Sequence, residues 1–158
     1  MAERAAKRIT ELMKVSKDCG YAQTGCFSNN SSLDVEENVL CENDVDDCLN
    51  YFYMVALASG ESLAFFAMKD GLNIVVDIDG PNNGKNQSGN DKFHFKLNTD
   101  NSTLYPDYDC ISNETCSYDE DFLGGYSTFV TKWVVKNDNL DYLKCPEELN
   151  WKTQTSCK

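Results

Sequence analysis

The sequence predicts one α+β domain whose loops are held by disulfides. Apolar residues recur at helical spacing near the N-terminus, whereas two segments in the middle of the chain alternate between apolar and polar residues. Eight cysteines in 158 residues add the expectation of several disulfides. A chain of this length is expected to fold as a single domain, residues 1–158, that buries roughly 70% of its unfolded surface.

The first predicted element is a helix from Ala2 to Asp18. Gly20 follows its end, as glycine often does after a helix. The positions at helical spacing are Ala5, Ile9, Leu12, Met13 and Ser16. Neither a signal peptide nor a membrane span precedes this helix. For a protein with disulfides, this predicts that an export segment has been removed ahead of residue 1.

A disulfide-held loop and a second helix are predicted next. Residues 19–43 are rich in Asn, Ser and Gly and contain three cysteines, which indicates a loop. From Val45 to Ser59 apolar residues again recur at helical spacing, and Asp44 is a favourable N-cap. The sequence therefore predicts a helix over 45–59.

Three strands are predicted in the middle of the chain. Leu63 to Met68 is apolar and of strand length, and Lys69–Gly71 is typical of a hairpin turn. Leu72 to Asp79 and Lys92 to Leu97 alternate with period 2, so each is expected to bury one face and expose the other. On this interpretation the single histidine, His94, lies on an exposed face, where it is a solvated side chain rather than a general base.

The thirteen residues from Asp79 to Asp91 connect the last two strands and contain the densest run of oxygen-bearing side chains. Ca²⁺ binds about six to eight oxygens from carboxylates, amides and backbone carbonyls. The predicted calcium ligands are Asp77, Asp79, Asn82, Asn86 and Asp91. The alternative is a solvated turn, because Asn, Asp and Gly favour turns for local reasons. The Asp77-x-Asp79-Gly80 run starts like known calcium loops but lacks their bidentate glutamate.

The C-terminal third is predicted to contain one further strand. Residues 98–121 are polar and rich in turn-forming residues. Tyr126 to Lys136 is predicted as a strand because alternate residues are bulky. Its shared face comprises Phe129, Thr131, Trp133 and Val135.

The cysteines indicate an oxidising compartment and up to four disulfides, since the spacing includes no zinc-type pair. Local pairing would join cysteines that are close in sequence, although eight cysteines allow about 105 connectivities. The locally paired candidates are Cys19 with Cys26, Cys41 with Cys48, Cys110 with Cys116, and Cys145 with Cys157. The sequence leaves the connectivity open.

Charge and motifs exclude several classes of function. The net charge of −12 argues against nucleic acid and anionic membrane surfaces as partners and favours cations. The sequence lacks a nucleophile elbow, a zinc-protease motif and a phosphate-binding loop. We therefore expect a protein that is not an enzyme.

The segment around the proposed calcium loop resembles a known family. Val76-Asp77-Ile78-Asp79-Gly80, followed by Gly84-Lys85-Asn86, Gly89, Asp91 and Phe93, is similar to the C-terminal motif of type IV pilin-like and type II secretion pseudopilin-like subunits. The similarity covers about eighteen residues. It departs from the family pattern at Asp79, where the family usually has Asn, and at Lys85, where it usually has Pro.

This resemblance implies a fold, a function and partners. The implied fold is pilin-like, with residues 1–19 as the end of a long first helix packed on an antiparallel sheet within residues 60–136. The implied function is that of a structural subunit of an extracellular filament or secretion pseudopilus, stabilised by a calcium ion. The implied partners are other pilin-like subunits, contacted through the first helix, and the inner membrane, which a missing apolar segment would enter before assembly. The implied location is extracellular or periplasmic.

A second class of function fits the same residues. A secreted calcium-dependent adhesin or carbohydrate-binding module would also have an extracellular cysteine pattern and an acidic calcium loop. The native residues upstream of Met1 distinguish the two, because a filament subunit needs an apolar segment and a secreted module needs a cleavable signal peptide.

Overall fold

An antiparallel sheet of six strands forms the centre of the computed structural model, which describes residues 2–21, 25–27, 52–68, 71–83, 89–106, 127–150 and 153–158. The strands lie across the sheet in sequence order. They are β1 (Val15–Tyr21), β2 (Tyr53–Leu57), β3 (Ser62–Met68), β4 (Gly71–Asp77), β5 (Lys92–Asn98) and β6 (Thr103–Pro106). The helices are α1 (Ala2–Thr10) and α2 (Ser127–Asn137), and two 3-10 turns follow at Asp141–Leu143 and Pro146–Glu148.

Strands β3, β4 and β5 confirm the three strands predicted in the middle of the chain. Met68 pairs with Gly71, so β3 and β4 form the expected hairpin, and Ile74 lies between Phe65 on one side and Phe95 on the other. Such cross-strand contacts between aromatic and β-branched side chains stabilise antiparallel sheets. Strand β6 was not predicted, because its four residues lie in a polar segment.

Helix α1 packs on one face of the sheet, which we call the first face. Ala2 and Ala6 are buried on the sheet side of the helix, where their small side chains allow a close approach. The strand residues in this core cluster are Tyr53, Val55, Leu63, Phe65, Leu72 and Ile74. The period-2 pattern of β4 therefore places its aliphatic residues in a core, as predicted.

The opposite face of the sheet, the second face, is buried as well. Its apolar cluster comprises Cys19, Cys26, Phe27, Phe52, Met54, Ala64 and Val75. On the same face Asn73, His94 and Lys96 are each less than 10% exposed. The prediction that β4 and β5 expose their polar faces, and with them His94, is wrong. Alternation shows that the two faces differ in polarity, but it does not show that the polar face reaches solvent.

The predicted first helix is too long. Helix α1 ends at Thr10, whose hydroxyl donates to the carbonyl of Ala6 at 2.8 Å. Residues from Val15 onward form β1 and pair with β2. Sequence periodicity missed this change because Leu12 and Met13, which continued the helical pattern, are exposed residues of the turn between the two elements.

The second predicted helix is also incorrect in the part that the structure describes. Tyr53 to Leu57 is strand β2, and Tyr53, Met54 and Val55 are consecutive buried residues. A strand buried on both faces has no polar side, so its composition resembles that of a buried helix. Residues 45–51 lie outside the described part.

The predicted C-terminal strand is helix α2. Trp133 and Thr131 are fully buried, and the Thr131 hydroxyl accepts the backbone N–H of His94 at 2.9 Å. Strand β6 pairs with β5 only from Phe95 onward. The N–H of His94 is therefore satisfied by a side chain of α2 instead of a strand.

These findings correct the predicted fold class. The described residues are mainly antiparallel sheet with a short helix at each end of the chain, whereas the expected α+β, pilin-like organisation has a long first helix. Helix α1 has nine residues. Two strands precede the predicted sheet region 60–136, and a helix occupies its end. Within the described residues, no helix has the length and apolar character needed to cross a membrane.

Two of the predicted disulfides are confirmed. Cys19 is bonded to Cys26 and Cys145 to Cys157, with S–S distances of 2.08 and 2.05 Å. None of these four described cysteines is free. The candidate pairs Cys41 with Cys48 and Cys110 with Cys116 lie outside the described residues. Disulfides of this kind are typical of an oxidising compartment, outside the cell or in the periplasm.

Candidate functional site

The candidate site begins where β4 ends, at Asp77. Gly80 donates its backbone N–H to Asp77 Oδ1 at 2.9 Å and has a φ of 80°, which favours glycine. A side chain at position 80 would also collide with the carbonyl oxygen of Gly60. The sequence Asp77-Ile78-Asp79-Gly80 therefore forms a tight turn that holds the Asp77 carboxylate in place.

The two ends of the β4–β5 connection are joined by backbone hydrogen bonds. Ile78 donates to the carbonyl of Asp91 at 2.9 Å, and Gly89 donates to that of Lys92 at 2.8 Å. The carbonyl of Gly89 accepts the hydroxyl of Tyr142, which comes from the C-terminal segment. The start and the end of the connection are thus held next to each other.

Two carboxylate oxygens in this turn are buried without a hydrogen-bond partner in the described structure. They are Asp77 Oδ2 and Asp79 Oδ1. Asp77 is completely buried, and this burial raises its pKa to about 6 despite the Gly80 N–H and the positive charge of Lys92. The Asp79 carboxyl group lies within hydrogen-bonding reach of the Asp77 carboxyl group and also raises the pKa of Asp77, so one proton shared between the two groups would satisfy both oxygens. Burying such groups costs free energy unless they are protonated, hydrogen-bonded or bound to a cation.

The other predicted ligands have different surroundings. Asp91 is 5% exposed and lies next to the turn, since its carbonyl accepts the Ile78 N–H. Asn82 is exposed to solvent, and Asn86 lies outside the described residues. In the part of the chain that the structure describes, no three side chains of the His, Cys, Asp or Glu type converge as a metal-binding group.

Lys92 is a site residue that the sequence analysis missed. It is fully buried, pairs in register with Asp77, and its ammonium group lies 5.9 Å from the centre of the Phe27 ring. Its charge lowers the pKa of Asp77 and of His94. The alternation in β4 and β5 was a usable signal, because an antiparallel pairing that aligns Ile74 with Phe95 also aligns Asp77 with Lys92.

The carboxylates of Asp77 and Asp79 determine what this turn can bind. Two adjacent carboxylates, each with an oxygen that lacks a partner, can take up a proton or contribute to the oxygen shell of a hard cation. The buried Lys92 beside Asp77 partly offsets the negative charge of the two carboxylates.

Comparisons of this chain with protein-family models, with curated proteins and with solved structures find no match.

Proposed function

We propose that this chain is an exported structural subunit of an extracellular filament or secretion pseudopilus, in which one calcium ion orders the connection between β4 and β5. The observation that carries the proposal is the pair of buried oxygens, Asp77 Oδ2 and Asp79 Oδ1, which lack hydrogen-bond partners among the described residues. They lie within the segment that resembles the pilin-like motif.

Electrostatics support a cation at this position. The protein has a net charge of −12, and two neighbouring carboxylates in a buried turn repel each other unless a proton or a cation intervenes. At neutral pH a calcium ion would relieve this repulsion and satisfy both oxygens. The remaining oxygens of its shell would come from the connection, with Asn82, Asn86 and Asp91 as candidates.

The role as an assembled subunit is supported by the sequence resemblance and by the disulfides. A sheet with core residues on both faces, one disulfide at its first strand and a second in the C-terminal segment is the kind of body that an extracellular assembly needs. The proposal does not require a pilin-like fold. It requires export, disulfide formation and a cation-ordered connection.

Calcium binding is tested first. Addition of Ca²⁺ to chelator-treated protein should raise the melting temperature, since a ligand at a hundredfold excess over its Kd stabilises the native state by about 2.7 kcal/mol. Asp79→Asn should abolish this rise and the calorimetric binding signal. Asp100→Asn is the matched control, because Asp100 is an exposed aspartate in the β5–β6 turn. If Ca²⁺ changes neither signal in the wild-type protein, the connection is a polar turn without a bound cation.

Assembly is tested on cells that express the full-length gene. Antibodies against this domain should label filaments or short surface assemblies in electron micrographs, and mechanical shearing should release the antigen in sedimentable form. If the antigen is instead found as free monomer in the medium and binds an extracellular ligand when calcium is present, the protein is a secreted binding module.

A further inference from the structure

A cavity of about 530 Å³ lies between the first face of the sheet and the two helices. Its floor is formed by residues of β3, β4 and β5, including Phe65, Ile74 and Phe95. Ile9 comes from α1, and Val134 comes from α2. The volume lies within the range of about 300–1,000 Å³ that is common for small-molecule sites.

The lining of this cavity is almost entirely hydrocarbon. Among the described lining residues Thr131 alone has a polar side chain, and its hydroxyl already accepts the backbone N–H of His94. A water molecule needs about two to four polar partners to be held in a cavity, and these walls do not offer them. The cavity therefore suits an apolar ligand and has no group that would bind a sugar or a peptide backbone.

The cavity is open to solvent through an apolar rim. Four of the described lining residues are exposed: Met13 by 43%, Ile78 by 48%, Leu104 by 56% and Val135 by 58%. Exposed apolar residues that continue into a cavity differ from isolated surface leucines, because they provide a continuous path for a hydrocarbon chain from the surface to the interior.

Both helices beside the cavity carry an excess of positive charge in a strongly acidic protein. Helix α1 has three basic residues and one acidic residue, Glu3, which pairs with Lys7 at 2.7 Å. Helix α2 has Lys132 and Lys136 and no acidic residue. Lys132 precedes the rim residue Val135 by three positions, so the two lie on the same side of the helix. Lys132 is therefore the basic residue placed on the rim side of α2, and an anionic group at the mouth would be attracted toward it.

We propose that this cavity binds a long-chain fatty acid, with the acyl chain in the cavity and the carboxylate at the mouth on the side of α2, near Lys132. The apolar lining accounts for the chain, and the local positive charge accounts for the preference for an anion over a neutral lipid. The cavity shares Ile78 with the acidic turn after β4 but includes neither carboxylate of that turn, so chelator-treated protein should bind the fatty acid as well.

The test uses the oxidised protein and a series of saturated fatty acids with ten to fourteen carbons, below their micelle concentrations. Calorimetry should show one site per chain. Each added methylene that enters the cavity should tighten binding by about fourfold, since burial of one methylene is worth about 0.8 kcal/mol. Dodecanol should bind more weakly than dodecanoate. Non-saturable uptake, or equal affinity across the series, would overturn the proposal.

Two variants and a control locate the site. Val135→Glu places a like charge at the rim and should weaken dodecanoate binding by about tenfold or more. Leu143→Glu is the matched control, because Leu143 is an exposed leucine outside the cavity, and it should leave the affinity unchanged. The double variant Lys132→Gln, Lys136→Gln should reduce the preference for dodecanoate over dodecanol. If Val135→Glu and Leu143→Glu lose the same amount of affinity for dodecanoate, the fatty acid adsorbs to the surface and the cavity site is refuted.

A second copy of the chain is the competing occupant of this face. Sedimentation of the wild-type protein without fatty acid should show a monomer. A dimer that Val135→Glu dissociates and dodecanoate does not would mean that the rim is a self-association surface, and the fatty-acid proposal would be wrong.

Discussion

Individual buried residues determine how the stability of this sheet depends on pH. His94 is 3% exposed, and its burial, together with the positive charge of Lys92, lowers its pKa to about 4. Burial has the opposite effect on the acid Asp77 and raises its pKa to about 6. In both cases the fold favours the neutral form. For His94 this means that acidification destabilises the fold, whereas for Asp77 it means that acidification stabilises it.

The contribution of His94 can be isolated by substitution. Its pKa is about 6.5 when unfolded, so its stabilising contribution is complete above that pH and is lost as the pH falls toward about 4. The loss should approach about 3 kcal/mol. Urea unfolding of chelator-treated protein between pH 7 and pH 4.5 should show a weaker decline for His94→Gln than for wild type. Parallel stability curves for the two proteins would contradict the assignment.

Asp77 provides the control for this experiment. It takes up its proton in the folded state as the pH falls through about 6, which offsets part of the loss at His94. Asp77→Asn removes this offset, so its stability should decline more steeply than that of the wild-type protein over the same pH interval.

At the scale of elements, the turn after β4 approaches the turn between β2 and β3, and a glycine lies in each of them. Gly80 and Gly60 both have positive φ values, 80° and 118°. They differ in the space around them, since a side chain at Gly80 would meet the carbonyl oxygen of Gly60, whereas one at Gly60 would meet nothing within 4 Å. The two positions therefore separate the cost of backbone conformation from the cost of a steric collision.

Alanine substitution at these two glycines should give different losses of stability. Gly60→Ala should lower the free energy of unfolding by about 1–2 kcal/mol, because alanine disfavours the left-handed backbone conformation but meets no neighbouring atom there. Gly80→Ala should cost about 1–3 kcal/mol more, because the turn must also move away from residue 60. Chemical denaturation measures both free energies of unfolding. Equal losses would show that the turn can relax without disturbing its neighbour.

At the scale of the whole molecule, the two described disulfides lie in different surroundings. Cys19 and Cys26 are completely buried in the cluster on the second face. Cys145 and Cys157 are partly exposed, and the N–H of Cys157 donates to the carboxylate of Asp141 at 3.0 Å. The first bond is part of a core, while the second closes a surface segment of the C-terminal region.

Removal of the two disulfides should therefore have unequal effects. Cys145→Ser with Cys157→Ser should cost at most about 3 kcal/mol, which is the loop-closure contribution for a bridge of this span. The double variant Cys19→Ala, Cys26→Ala should lose more free energy of unfolding than the C-terminal double variant, because it also leaves a cavity in a packed core. Melting temperatures of both double variants measure the difference, and a larger loss for the C-terminal pair would contradict it.

The sequence by itself determined the features that depend on local pattern. The period-2 alternation of β4 and β5 predicts which of their side chains share a face, because side chains alternate strictly along any strand, and the apolar run Leu63–Met68 predicts β3. The short cysteine spacing favoured two bonds that the structure contains, Cys19–Cys26 and Cys145–Cys157. The connection that begins at Asp79 was recognisable as a loop because Gly80 and the Asn and Asp residues around it are turn-forming residue types.

Only the tertiary structure decided which surfaces are buried and which elements form where the pattern is ambiguous. Tyr53–Leu57 is a strand and Ser127–Asn137 is a helix because of what each packs against, and their apolar composition fits either state. Likewise, Lys92 and His94 are buried because the second face of the sheet is covered. Burial on both faces removes the contrast between inside and outside that sequence patterns record, so a polar stripe on such a sheet cannot be recognised as buried from the sequence.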